Sequence, residues 1–156
     1  MATLKAGTAE DARPQPARRL PAAVTIVRRA TFAAAHVLRR EEWDEARNRA
    51  VFGACAGDHG HNYVLEVAVS GVPDPATGMV VNLKDLDRLM RLAVIDDVDH
   101  RHLNRDVEWL EGVIPTAENL ALAFWQRLAA RLPEGTLARV RLVESENNSV
   151  EVGLLG

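Results

Sequence analysis

His59-Gly-His-Asn-Tyr-Val-Leu-Glu-Val-Ala-Val-Ser70 decides the fold class. From Asn62 to Ser70, Tyr63, Leu65, Val67 and Val69 alternate with Asn62, Glu66 and Ser70. A period of two is that of a strand with one face in a core and the other outside it. Val24 to His36 has the same period: Val24, Ile26, Ala30, Phe32, Ala34 and His36 share a face, with Thr25, Val27, Arg29 and Thr31 opposite. Near the end of the chain, Ala138, Val140, Leu142 and Glu144 make one face of a strand over Leu137 to Glu144. An Asn147-Asn148 turn then leads into a last strand, Ser149 to Leu154.

Between these strand pairs the period changes to that of a helix. Asn82 can cap a helix with Asp85 in its first turn, and Leu83, Leu86, Leu89, Met90, Ala93 and Val94 form its apolar stripe. Thr116 caps a second helix with Glu118 in its first turn, where the helix dipole favours an acid. Its stripe is Leu120, Ala121, Phe124, Trp125, Leu128 and Leu132, and Pro133 and Gly135 end it. Glu41 to Val51, rich in charge and helix formers, predicts a short surface helix in the first connection. Asp74-Pro75-Ala76-Thr77-Gly78 predicts a turn. The order β-β-α-α-β-β implies an α+β domain with a four-stranded antiparallel sheet and both helices on one face.

Composition agrees with a globular domain. The chain has 156 residues and 17.1 kDa, is 47% hydrophobic and 26% charged, and carries 19 Lys+Arg against 22 Asp+Glu, a net charge of −3. No apolar run approaches the ~18 residues that would cross a membrane. The balance of charge, with no basic face interleaved with aromatics, argues against a nucleic-acid partner. A single cysteine cannot form an internal disulfide, which makes the cytoplasm the expected compartment. Residues 1–22, with Pro14, Pro16, Pro21 and several arginines, are expected to be a disordered tail before a domain over 23–156.

The histidines carry the chemistry. His59 and His61 stand at i and i+2, hence on one strand face, and His36 ends the apolar face of the neighbouring strand. Three converging imidazoles make a metal site of catalytic type, with a fourth position open, although each histidine alone is more often an ordinary one. Cys55 lies four residues before His59 in a loop of small residues. A lone cysteine is usually a small hydrophobe, but beside a cation its thiol would be acidified. Asp99 precedes His100, and an Asp can orient an imidazole that moves protons; His102 is a second candidate for that role. Glu144 is a carboxylate at the end of an apolar face, where a bidentate N–H donor on a ligand would answer its charge.

Six fragments in order resemble the 6-pyruvoyl-tetrahydropterin synthase family, including its 6-carboxy-tetrahydropterin synthase branch. They are Phe32-Ala-Ala-Ala-His36, Cys55-x-x-x-His59-Gly-His61-Asn-Tyr63, Asp74-Pro-Ala-Thr-Gly-Met-Val80, Asp99-His100, Pro115-Thr-Ala-Glu118-Asn and Glu144-Ser-Glu-Asn-Asn148. The resemblance runs from Ile26 to Glu151. It implies the tunnelling fold and zinc held by His36, His59 and His61. It further implies Cys55 as base, Asp99 and His100 as a proton relay, Glu144 as the anchor of the pterin's guanidine-like edge, and Thr116 and Glu118 in the pterin pocket. The implied partners are a pterin triphosphate, 7,8-dihydroneopterin triphosphate, and further copies of the chain in a hexamer of stacked trimers, with active sites between subunits.

Two products are open under that resemblance. The three-residue spacing from Cys55 to His59 is similar to the carboxy branch, which releases triphosphate and acetaldehyde in the queuosine pathway, and favours it. His59-Gly-His-Asn-Tyr63, Asp74-Pro-Ala-Thr-Gly-Met-Val80 and the Asn147-Asn148 turn look closer to the pyruvoyl branch of tetrahydrobiopterin-type pathways. A non-catalytic pterin- or zinc-binding protein and an aldolase acting on dihydroneopterin are the remaining alternatives; Cys55, Asp99 and His100 argue against the first and Cys55 against the second.

Overall fold

A computed structural model describes residues 22–153; the expected tail up to Pro21 and the end of the last expected strand at Leu154 lie outside the described residues. Strand β1 (Val24–His36) pairs antiparallel with β2 (His59–Gly71) along its whole length, from Val24 opposite Gly71 to His36 opposite His59. Strand β4 (Leu137–Ser145) pairs with β2 and, through a tight turn at Glu146-Asn147, with β5 (Asn148–Gly153). Four antiparallel strands are present as expected, but the last begins at Asn148 rather than Ser149, because Asn148 already pairs with Ser145 and the turn falls one residue earlier.

A fifth strand was not legible. β3 is two residues, Arg101–His102, and runs parallel to the end of β1, giving the order β3-β1-β2-β4-β5. Its flanks close the edge of β1: His100 N–H donates to the Ala33 carbonyl at 2.6 Å and Leu103 N–H to Ala35 at 2.8 Å. Two residues are too few to carry a period, so only the edge's need for partners creates this strand.

The helices begin where the caps predict. α1 (Glu45–Phe52) starts later than expected because Asp44 caps it, accepting from Arg47 N–H at 2.7 Å. α2 (Leu83–Met90) is capped by Asn82 and continues through a π-helical turn, Arg91–Ile95, into a short α3 (Asp96–Val98). α4 (Ala117–Ala129) is capped by Thr116. Leu83, assigned above to the apolar stripe, is exposed, because the covered face starts only at Leu86.

One sheet face is packed under these helices. Phe32, Tyr63, Leu65, Val67, Val140 and Leu142 meet Leu86, Met90, Val94, Leu120, Phe124 and Leu128 in a single core. Phe32 stacks on Tyr63 with ring centroids 4.8 Å apart and meets the edge of Phe124 at 6.0 Å. A bulge in the β2–β4 pairing shifts the register, so Leu137 opposite Val69 enters the core in place of the expected Ala138. The core therefore ends, along β1 and β2, at three histidines.

Candidate metal and active site

The antiparallel register alone brings the trio together. His36 faces His59 directly, and His61 lies opposite Ala34 on the same side of β2 as His59. Ring centroids are 4.4 Å apart for His36–His59 and 5.1 Å for each of the other two pairs. One ring nitrogen from each comes within 4.8 Å of the others. Gly60 permits this approach: a Cβ there would stand 3.0 Å from the Ala34 carbonyl oxygen of β1.

Carbonyl groups set the tautomers. His36, fully buried, donates Nδ1–H to the Pro115 carbonyl at 2.8 Å, and His59 donates Nδ1–H to the Gly57 carbonyl at 2.8 Å. A carbonyl can only accept, so in the neutral tautomer of each ring the proton sits on Nδ1 and Nε2 is the nitrogen available to a metal. His59 Nε2 is buried and has no hydrogen-bond partner in the protein. An orphaned imidazole nitrogen aimed at two others is what a divalent cation would satisfy, and an all-imidazole donor set suits zinc. Burial lowers the His36 pKa, opposed by the Pro115 hydrogen bond and aided by the neighbouring His59 and His61, so its neutral form is favoured.

Glu144 closes the site from β4. Its Oε1 stands 3.9 Å from His36 Nε2 and 3.8 Å from His61 Nε2, too far for hydrogen bonds but within Coulombic reach. Tyr63, the next inward residue after His61, places its hydroxyl 3.4 and 3.5 Å from the two ring nitrogens of His36. Burial, and then the Glu144 charge, push its phenol pKa above the usual range, so it stays protonated.

Asp99 and His100 meet at the edge of the sheet. Asp99 Oδ1 lies 3.0 Å from His100 Nδ1 and accepts the Ala33 N–H of β1 at 2.9 Å. That N–H is the foremost reason the Asp99 carboxyl titrates below the usual range, with His100 adding to it and burial opposing. His100 has φ 58°, in the left-handed region, and its side chain is 82% exposed. An open groove over Ala33–Ala35 and Gly60–Asn62 is bordered by both His61 and His100. His102, the other candidate for the relay, instead reaches Asp58 at 2.9 Å.

Cys55 sits half-buried in the 3-10 turn Gly53–Ala56 that leads into β2, and its carbonyl accepts from Leu38 N–H at 2.8 Å. Thr116 has a structural duty as the cap of α4, accepting from Asn119 N–H at 3.3 Å, and Glu118 is exposed in the first turn. Thr116 follows directly on Pro115, whose carbonyl holds His36, and Glu118 lies two residues further on. Pro115 and Gly57 escape a sequence reading because a backbone carbonyl has no residue signature, and Asp58 because its partner His102 lies 44 positions away. The parity of Tyr63 with His59 and His61 was the available signal for its place in the site.

Comparison with known proteins agrees. A family model described as 6-pyruvoyl tetrahydropterin synthase matches residues 25–153. The human 6-pyruvoyl tetrahydrobiopterin synthase is 42% identical over 127 residues, 80% of this chain and 88% of that protein. The structure of the Caenorhabditis elegans 6-pyruvoyl tetrahydropterin synthase superposes with a TM-score of 0.79 at 36% identity, covering 85% of this chain and 96% of the other. A protein of Archaeoglobus fulgidus provisionally named 6-carboxy-5,6,7,8-tetrahydropterin synthase is 36% identical over 98 residues, 63% of this chain and 77% of that protein. With its family's fold, and with a histidine trio able to hold a metal at the end of the core, this chain belongs to the 6-pyruvoyl tetrahydropterin synthase family.

Proposed function

We propose that the protein is a zinc-dependent lyase that eliminates triphosphate from 7,8-dihydroneopterin triphosphate to leave 6-pyruvoyl-tetrahydropterin. The observation that carries this reading is the trio itself, three imidazoles within 4.8 Å of one another with a buried, unpartnered Nε2 on His59. The pyruvoyl product is preferred because the human relative matches 80% of the chain at 42% identity, whereas the carboxy-named relative matches 63% at 36%. That order reverses the preference drawn from the Cys55–His59 spacing alone.

His36, His59 and His61 would hold the ion through ring nitrogens. When bound, zinc would supply a Lewis acid that stabilises negative charge developing on the substrate's side chain. Cys55 would take the proton from carbon as thiolate. Asp99, hydrogen-bonded to Ala33 N–H, holds His100 by its Nδ1, leaving Nε2 free to pass a proton as the double bond moves and triphosphate departs. Glu144, 16% exposed, would accept the two N–H donors of the pterin's guanidine-like edge. Thr116 and Glu118 would line the pterin pocket beside it. With His100 at an exposed sheet edge, a site completed by a neighbouring chain in a trimer or hexamer accords with this assignment.

The second reading is the carboxy product, supported by the spacing Cys55-Ala-Gly-Asp-His59. The test is to incubate zinc-loaded protein with 7,8-dihydroneopterin triphosphate, identify the pterin by mass spectrometry and assay acetaldehyde. A 6-pyruvoyl mass without acetaldehyde is the expected result. A 6-carboxy mass with acetaldehyde replaces the first reading by the second, and no triphosphate release overturns both.

A further inference from the structure

The turn that carries Cys55 into β2 is held from outside the histidine trio by a contact between sequence-distant residues. Asp58 Oδ1 accepts from His102 Nε2 at 2.9 Å, and Arg105 Nη2 reaches both Asp58 oxygens at 3.3 Å. His102 is itself immobilised. It pairs with Ala35 in the parallel β1–β3 ladder, its N–H donates to Asp106 Oδ2 at 2.8 Å, and its side chain is only 14% exposed. Asp58 by contrast is 64% exposed and belongs to a loop, so the anchored histidine positions the aspartate.

What Asp58 positions in turn is the peptide before it. Gly57 N–H donates to the Ala54 carbonyl at 3.1 Å, and the Gly57 carbonyl accepts from His59 Nδ1 at 2.8 Å. That second bond directs the lone pair of His59 Nε2 toward His36 and His61. If the Asp58 side chain were released, the flexible Gly57–Asp58 peptide could rotate and the carbonyl would leave Nδ1. His59 would then lose its tautomer and its orientation together. Groups that orient metal-binding histidines by their second nitrogen typically account for about 10–100-fold in metal affinity.

We propose that Asp58 and His102, assisted by Arg105, are positioning residues for the metal site, holding the Gly57 carbonyl against His59 so that Nε2 is presented to zinc. The inference rests on the reading of the trio as a zinc site, and on no assumption about the pterin product.

The test is zinc affinity by competition with a chromophoric chelator, together with thermal melting of the metal-free proteins. Asp58→Ala removes an exposed loop carboxylate and spares the core, and His102→Ala removes the anchor. Both are expected to bind zinc about 10–100-fold more weakly while the metal-free Asp58→Ala protein melts as wild type does. His102→Gln, whose amide can still donate to Asp58, is expected to restore affinity over His102→Ala. Wild-type affinity in Asp58→Ala overturns the proposal, as does His102→Gln binding as weakly as His102→Ala. If the wild-type chain takes up no zinc, the metal reading falls and this inference with it. Zinc uptake that depends on Asp58 and His102, without turnover of the pterin, supports the positioning role and removes only the proposed reaction.

Discussion

His100 shows how a single residue is held against its own preference. Its φ of 58° is a left-handed conformation that costs a side-chain-bearing residue of order 1 kcal/mol or more, while its N–H is committed to the Ala33 carbonyl at 2.6 Å. The strain turns the imidazole out beside Asp99 at the mouth of the groove. Replacing it by glycine relieves the strain at an entropic cost of about the same size, so His100→Gly is expected to leave the unfolding free energy from urea titration unchanged within ~1 kcal/mol while pterin turnover collapses. A loss of several kcal/mol would show that the imidazole itself holds the β1–β3 edge. Cys55 makes the complementary case: Cys55→Ala is expected to stop turnover with zinc content intact, and unaltered turnover would remove its role as base.

At the scale of elements, two junctions position the site. The first is the β1–β2 ladder, where Gly60 faces Ala35 and a Cβ would press on the Ala34 carbonyl oxygen at 3.0 Å. Backbone cannot yield as a flexible side chain can, so Gly60→Ala is expected to spread the strand ends, lower zinc affinity and cost about 1–3 kcal/mol of stability, read by chelator competition and urea unfolding. Unchanged zinc affinity would show that the ladder tolerates the added carbon. The second is the π-helical turn Arg91–Ile95, which α4 grips through Arg127. The guanidinium donates to the Ala93 carbonyl at 2.5 Å, pairs with Asp97 at 2.8 Å and lies over Trp109, 4.2 Å from the ring centroid. Arg127→Ala is expected to cost about 1–3 kcal/mol, and Arg127→Lys to recover little of it, because an ammonium cannot serve a carbonyl, a carboxylate and a ring in one plane.

For the whole molecule, the sheet has one face under helices and the other carrying Thr25, Val27, Arg29, Thr31 and Glu66. Its edges are the two-residue β3 and the short β5, and unpaired edges are usually covered or paired. Association through them is expected to give a sedimentation mass three or six times the 17.1 kDa of one chain, and a monomer would oppose subunit-shared active sites. No helix of the described residues is long and apolar enough to cross a membrane. If zinc binds only the folded state, saturation at 100 times Kd stabilises it by about 2.7 kcal/mol, so a chelator should lower the melting temperature. An unchanged melt would show that zinc adds nothing to the fold.

Alternation by itself marked β1, β2 and β4 as strands and gave the inward faces of β1 and β2, because a period of two survives in any strand that buries one side. Caps at Asn82 and Thr116 were equally local, since a side chain two or three residues from its partner needs no distant contact. The histidine trio was legible through the parity of His59 and His61 and the position of His36 at a strand end. Tertiary structure alone decided the rest. β3 exists because the β1 edge needs partners; Leu137 enters the core because the β2–β4 register slips. His36 and His59 are held by carbonyls of Pro115 and Gly57, and Asp58 meets His102 across 44 positions of sequence. Each depends on which backbone atoms the packed sheet brings within about 3 Å, and no pattern along the chain encodes that distance.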